Sequence, residues 1–403
     1  MRICYAYDVA LPNVHTATIQ ILKTGAALCD LGHPFDFLCG PAPDSATGMF
    51  DALGIGVPQG LAIEAGFPRL PRWPALRAPV LRRCARRFLR RRACDVMVSR
   101  GETGIALARA PRGGHARFVL EVHKLRSLEL AERAAGTRID PGDLRRSPAF
   151  RAEAEAFRQA DGVLFLTPGV RDAAERVFGP LDVPATVVPS GTDAPSPPGR
   201  AEGPRHDLIY AGKIERRKGL FLMLDAMRHL PGRRLTLLGG GADLEEGRRY
   251  AARHGLGDRV RFAGPVPHAQ VAGELARARL GLSLLPDDVD HVSTSFTSPM
   301  KILEMMAAGL PVVATDLPSV RNICRHGADS VLVAPRPEPI AAAITRLLHD
   351  PGTMARLAEA GRRRAADFAW TARARRIADF CEGLLDSPSS GRGRDPAHPP
   401  HAR

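Results

Sequence analysis

The hydrophobic pattern alternates between two periods. Short strand-like runs at Ile3 to Tyr7, Phe35 to Cys39, Asp95 to Ser99 and Arg117 to His123 are separated by helix-periodic stretches near residues 16–31, 79–92 and 102–110. That succession predicts right-handed βαβ units around a parallel sheet. A further unit follows, with a polar helical run ending near Ala160, a strand from Gly162 to Leu166, a helix through Phe178 and a strand from Thr186 to Val188.

The stretch from Gly191 to His206 is rich in proline, glycine and serine, has no apolar period and reads as a linker. After it the alternation restarts: strand Leu208 to Ala211, a helix from about Lys218, strand Leu235 to Leu238, a helix through His254, strand Val260 to Phe262, a helix over 268–278 and strand Leu280 to Leu284. The pattern predicts an α/β protein of two Rossmann-like, doubly wound domains facing across a cleft. Residues 1–190 form the first domain, 191–206 the linker and 207–368 the second domain, and a closing helix over 369–385 is expected to cross back to the first. Residues 386–403 are too polar and proline-rich to pack and read as a disordered tail. Such folds bind ligands at the carboxyl ends of their strands, so functional residues are sought there.

Residues 293–316, STSFTSPMKILEMMAAGLPVVATD, read as loop, helix, turn and buried strand. Ser298 suits an N-cap and Pro299 the first helical position, which leaves free backbone N–H groups at Met300 and Lys301 facing outward, a ready anion site. Lys301 in the first turn opposes the helix dipole, a placement that makes sense when a phosphate lies between them. Glu304 stands a little over one turn further in. An ordinary capped surface helix has the same pattern.

A chain of 403 residues with 44% hydrophobic and 25% charged residues is an ordinary soluble composition, long enough for two cores. Seven scattered cysteines without a C-x-x-C pair read as reduced core residues. With no secretory pattern and no apolar run of membrane-spanning length, a cytoplasmic protein is expected. The net charge of +14, nearly all from arginine, favours acidic partners. The helix over 79–92 carries an apolar stripe of Val80, Leu81, Cys84, Ala85, Phe88 and Leu89 against Arg82, Arg83, Arg86, Arg87, Arg90 and Arg91. Packing of that stripe on the first domain's sheet is the favoured reading, with contact at an anionic membrane face left open. Nucleic acid is not expected, because no aromatic residues interleave the arginines.

Candidate chemistry sits at predicted strand ends. Gly212 and Lys213 leave a strand and Lys218 opens the next helix, a placement suited to a diphosphate and equally that of a solvated basic turn. Gly239 to Gly241 form a glycine turn that is not a dinucleotide fingerprint, since Leu244 stands where the third small residue belongs. The acidic loop at Asp287 to His291 invites a metal reading, but no metal is expected because the lysines and helix ends already supply positive charge. His123 ends a strand as EVHK, better placed for ligand contact than most histidines.

In combination, GKIERRKG at 212–219, the glycine turn at 239–241, SPMKILEMMAAGLPVVAT at 298–315, PSGTD at 189–193 and EVHK at 121–124 resemble the retaining glycosyltransferases of family 4, the glycogen-synthase-like group with the GT-B fold. The likeness runs to about residue 385. It implies a nucleoside-diphosphate sugar as donor substrate, no separate cofactor, and a glycan, lipid-linked or other glycoconjugate acceptor held by the first domain. It further implies that Lys213 and Lys218 hold the diphosphate, that Glu304 accepts from the ribose and that Met300 and Lys301 offer backbone N–H groups. His123 would contact the transferred sugar, with transfer by same-face attack assisted by the leaving phosphate. Three departures stand out: Phe296 occupies the first glutamate position of the family's E-x7-E pattern, Lys124 replaces an acid, and LPNVHT replaces a glycine-rich loop, leaving Asn13, His15 and Thr16 as weaker candidates for ligand contact. A nucleotide-sugar epimerase of related fold and a non-catalytic nucleotide-sugar-binding scaffold remain open alternatives.

Overall fold

The computed structural model describes all residues except 14, 43–47, 69–73, 110–115, 141–143, 145–146, 196–205, 288–291 and 388–403. The first body contains β1 (Ile3–Ala6), α1 (Thr16–Asp30), β2 (Phe35–Cys39), α2 (Gly48–Ala52), β3 (Leu61–Ala65), α3 (Pro74–Arg91), β4 (Val96–Arg100), α4 (Gly101–Leu107), β5 (Arg117–Val122), α5 (Arg126–Ala135), α6 (Pro148–Gln159), β6 (Gly162–Phe165), α7 (Pro168–Phe178) and β7 (Ala185–Val187). The second contains β8 (His206–Ala211), α8 (Leu220–Arg228), β9 (Leu235–Leu238), α9 (Leu244–Arg253), β10 (Val260–Gly264), α10 (His268–Ala276), β11 (Ala278–Ser283), α11 (Met300–Ala307), β12 (Val312–Thr315), α12 (Pro318–Arg321), β13 (Val331–Val333), α13 (Pro337–Leu348) and α14 (Pro351–Ala366). The last helix is α15 (Trp370–Asp386).

The first sheet runs β3-β2-β1-β4-β5-β6-β7 and the second β10-β9-β8-β11-β12-β13. All their neighbouring strands are parallel. In each sheet the order reverses beside the first strand of that body, β1 or β8, which makes two switch points where a doubly wound sheet opens a crevice. The central strands β1, β4, β9 and β12 are buried along their whole length, hence their continuous apolar runs. Edge strand β3 is only half-buried, so Leu61–Ala65 carries no strong apolar signal and escapes the sequence reading.

Two crossings join the bodies, and they lie side by side. Thr192 N donates to Phe368 O at 2.9 Å and Trp370 N to Thr192 O at 3.0 Å, a parallel bridge between the outgoing and returning chain. Gly191 permits this approach, since any Cβ there would collide with the Trp370 ring. Beyond the crossing α15 returns to the first sheet, where Trp370, Ala374, Ile377, Ala378, Cys381 and Leu384 share one core with Ile3, Tyr5, Phe35 and Leu164. Helix α3 starts at Pro74, five residues before the expected Pro79. It turns Leu81, Ala85 and Phe88 into the other core of the first body and leaves Arg83, Arg86, Arg87 and Arg90 exposed.

The loops at the carboxyl ends of the two sheets touch. Ser190 N, after β7, donates to Ser298 Oγ at 3.1 Å, and Thr167 Oγ1, after β6, donates to the Phe296 carbonyl at 3.3 Å. Phe296 itself, in the turn Val292–Phe296, is only 2% exposed and belongs to the first body's core with Val170, Ala173 and Phe165. The position expected to bear an acid thus carries an apolar anchor. Phe296→Ala should lower the unfolding free energy by about 3 kcal/mol, the usual loss for an emptied aromatic site, measured by denaturant titration. Phe296→Glu should destabilise at least as much, because the new carboxylate has no partner in that core.

Candidate active site

The carboxyl end of β8 carries the first candidate group. Gly212 N donates to Leu238 O and Ile214 N to Gly240 O, so the loop after β8 is bonded to the loop after β9. Gly239, at φ 130°, lies so close to the Gly212 carbonyl that a side chain would collide, and Gly241 meets the Ile214 carbonyl in the same way. The two glycine segments therefore form one surface.

Lys301 reaches beneath that surface from the first turn of α11. Its Nζ donates to the Tyr210 hydroxyl at 2.8 Å and lies 4.3 Å from the centre of that ring, while the hydroxyl donates to Lys213 O at 2.8 Å. No carboxylate forms an ion pair with Lys301 among the described residues. Burial pushes its ammonium down to about 8, with Glu304 and Glu215 acting in the opposite direction. Glu304 is half-buried one turn on, its carboxyl pushed up by burial and by Asp193 and drawn down by Lys23 and Lys301. A cation and an acid, both incompletely compensated, thus flank the free end of a helix.

Several expected placements need correction. Ser298 is not the N-cap: Pro299 holds that position, and the Ser298 hydroxyl is used on Ser190 N of the other body. The physical reason is the interdomain contact, which takes the hydroxyl away from the helix end. Lys218 does not open the next helix but ends a 3-10 turn, Arg216–Lys218, and is half-buried there; α8 begins after Gly219. Lys213 is 61% exposed, with its Nζ 3.7 Å from Glu215. Asn13 is committed to its own loop: its Oδ1 accepts from His15 N at 3.1 Å and Thr18 Oγ1 at 2.7 Å, and its Nδ2 donates to Ala10 O. His15 and Thr16 stand exposed at the start of α1. Within the acidic loop, residues 288–291 lie outside the described residues. Met300 packs against the first body's core, so the start of α11 sits at the junction.

His123 follows β5 and is 24% exposed. Its Nε2 lies 3.0 Å from Glu121 Oε1, and Arg100 Nη1 lies 3.4 Å from each ring nitrogen. Burial pushes the imidazole below its ordinary value, with Glu121 opposing and Arg100 assisting. Lys124 pairs with Glu129 on the neighbouring helix.

Sequence reasoning passed over Lys23, Asp193, Arg100, Tyr210 and Arg373. Lys23 is 3% exposed in α1 and holds both Asp193 oxygens, at 2.6 and 2.7 Å, while Trp370 Nε1 donates to the same carboxylate at 3.0 Å. A signal for it existed. The chain has only five lysines among 57 basic residues, and Lys23, Lys124, Lys213, Lys218 and Lys301 all follow strand ends at the junction or face it. Where arginine serves nearly every other cationic position, lysine marks places that need a compact ammonium.

Two doubly wound bodies with basic glycine loops and a lysine-bearing helix end at their junction define the GT-B class of sugar-transferring proteins. The chain belongs to the family-4 glycosyltransferases: the Glycosyl transferase 4-like domain matches residues 16–191 and Glycosyl transferases group 1 matches residues 196–364. It is 30% identical over 227 residues to a glycogen synthase of Mycobacterium tuberculosis, covering 54% of this chain and 53% of that one. It is 28% identical over 248 residues to the GDP-mannose-dependent alpha-(1-6)-phosphatidylinositol monomannoside mannosyltransferase of the same organism, covering 55% of this chain and 62% of that one. The chain thus spans about half the length of the curated relatives it matches. Its fold is similar to sucrose-phosphate synthase from Thermosynechococcus elongatus, with TM-score 0.74 at 20% identity over 95% of this chain and 99% of that one. Anabaena HepE in complex with UDP gives TM-score 0.73 at 17% identity over 95% and 100%.

Proposed function

We propose that the protein is a retaining, metal-independent glycosyltransferase that moves a sugar from a nucleoside-diphosphate sugar to a glycan or glycoconjugate. The observation that carries this reading is Lys301: a half-buried ammonium without an ion-pair partner among the described residues, beneath a glycine surface and in the first turn of a helix. An anion at that helix end receives the N–H groups of Met300 and Lys301 and supplies the missing counter-charge. Lys213, released from Glu215, and Lys218 add the charge that neutralises a leaving diphosphate. Glu304 accepts from the ribose hydroxyls, and the His123 edge meets the transferred sugar. His15 and Thr16 are the first-body groups open to a ligand; Asn13 is not. The relatives' names support a sugar acceptor, and the HepE complex with UDP supports the donor class. Among the described residues no helix is long and apolar enough to cross a membrane. The exposed arginine face of α3 fits a peripheral contact with anionic lipid at the inner membrane face.

Four outcomes follow from this reading. Lys218→Ala and Glu304→Ala should each reduce kcat/KM by roughly 100-fold or more with unchanged thermal unfolding, read by product formation from a panel of sugar nucleotides. A chelator should leave turnover intact. A bound diphosphate favours the charged form of Lys301, so binding takes up a proton above about pH 8; calorimetry should show UDP or GDP affinity full below that pH and falling as pH rises, a dependence lost in Lys301→Met. Co-sedimentation with vesicles containing anionic lipid should be lost when Arg83, Arg86, Arg87 and Arg90 are changed to serine.

A further inference from the structure

Glu121 and Arg373 form an ion pair in the interior of the first body, 3% and 2% exposed, between a central strand and the final helix. Buried pairs of this kind contribute little net stability over apolar residues of similar size, so their geometry is better explained by what they hold in place. The Arg373 guanidinium is used in four directions. It donates from Nη2 to Glu121 Oε1 at 2.5 Å, from Nη1 to Val188 O at 2.8 Å and to Pro189 O at 2.6 Å, and from Nε to Thr24 Oγ1 at 3.0 Å. A lysine has no such planar fork.

Glu121 passes this order on. Tyr5 donates its hydroxyl to Oε2, and Oε1 faces His123 Nε2 at 3.0 Å. Burial alone would push the carboxyl up, yet His123, Arg373 and Arg100 together hold it well below the usual carboxylate range. An ionised carboxylate only accepts, so the hydrogen bond assigns the proton to Nε2 and leaves Nδ1 with its lone pair. Arg100, whose guanidinium also lies 4.8 Å from the Tyr7 ring centre, is equidistant from the two ring nitrogens; being a donor only, it is compatible with whichever nitrogen lacks the proton, here Nδ1. The choice of tautomer therefore falls to Glu121.

We propose that Arg373 is a positioning residue for the transfer site: through Glu121 it fixes the tautomer and orientation of His123 and ties both to the interdomain crossing at Val188 and Pro189. The proposal rests on the reading that His123 meets the transferred sugar. A ring held with Nε2 protonated keeps Nδ1 as its one acceptor, which a sugar hydroxyl would share with Arg100 Nη1 at 3.4 Å, and the guanidinium of Arg373 also grips the carbonyls where the chain leaves the first body. The returning helix is then part of the site, although it lies some 250 positions from His123.

The test uses the full chain with 15N-labelled histidine, comparing wild type with Glu121→Gln and Arg373→Gln, each checked for fold by circular dichroism and for UDP or GDP binding by the second body. The charged groups facing His123 are Glu121, Arg100 and Arg373. In wild type the Nε2–H pattern should dominate and the ring should titrate below its ordinary value. Glu121→Gln removes the anion, so the titration should move further down and the Nδ1–H form should appear. Arg373→Gln removes a cation and leaves Glu121 less compensated, so the titration should move up. These opposite shifts, with kcat reduced roughly tenfold or more and donor KM little changed, support the proposal. An unaltered tautomer and titration in Glu121→Gln, or shifts in the same direction in both variants, overturn it. If Arg373→Gln does not fold, Glu121→Gln decides alone. Opposite shifts with undiminished kcat would leave the positioning intact and remove His123 from transfer.

Discussion

The constraint on which the rest depends is the contact between the two chain crossings. One parallel bridge, Thr192 against Phe368 and Trp370, fixes where the chain leaves the first body and where it comes back. From that point α15 has one place to go, the open face of the first sheet, and its apolar stripe fills it. Asp193 then joins Lys23 on α1 to Trp370, so first helix, outgoing crossing and returning helix meet at one carboxylate. Phe296, the anchor that the second body sends into the first, adds a further contact between the bodies.

Charge at the junction is arranged unevenly. Most arginines lie outward or pair with nearby carboxylates, while four of the five lysines follow strand ends and the fifth, Lys23, faces the crossing from α1. Lys301 is the least compensated of them, held under the glycine surface with only a phenol as its hydrogen-bond partner among the described residues. Glu304 shows the opposite strain, an acid whose burial favours its neutral form. Neither arrangement is what a solvated helix end would adopt, and the proposed ligand, carrying phosphate and hydroxyl groups, would relieve both. On the other side, Glu121 is over-supplied with donors from Tyr5, Arg373 and His123. The two halves thus differ in kind: the second body presents unmet charge, the first a pre-set orientation.

Much of this was legible along the chain. The strand–helix alternation announced two parallel sheets because strands buried on both faces need continuous apolar runs, and the motifs at 212–219, 239–241 and 298–315 fell at strand ends because that is where the chain must turn. The half-exposed β3 was not legible, nor was the duty of Ser298, whose hydroxyl looks like a cap until a neighbour 108 positions away claims it. Phe296 read as a missing acid, since a motif compares residue types and has no knowledge of the core waiting opposite.

By itself the sequence determined the local periods, the order of elements and the chemical groups available at each strand end, all of which depend on neighbours within a few residues. Only the tertiary structure decided which of those groups meet. Lys23 with Asp193, Arg373 with Glu121 and Phe296 with the first core are each separated by more than a hundred positions, and their pairing follows from how the crossings and the returning helix bring distant segments together. No local pattern encodes such a distance, because burial and charge compensation are properties of the assembled junction and not of the segments that build it.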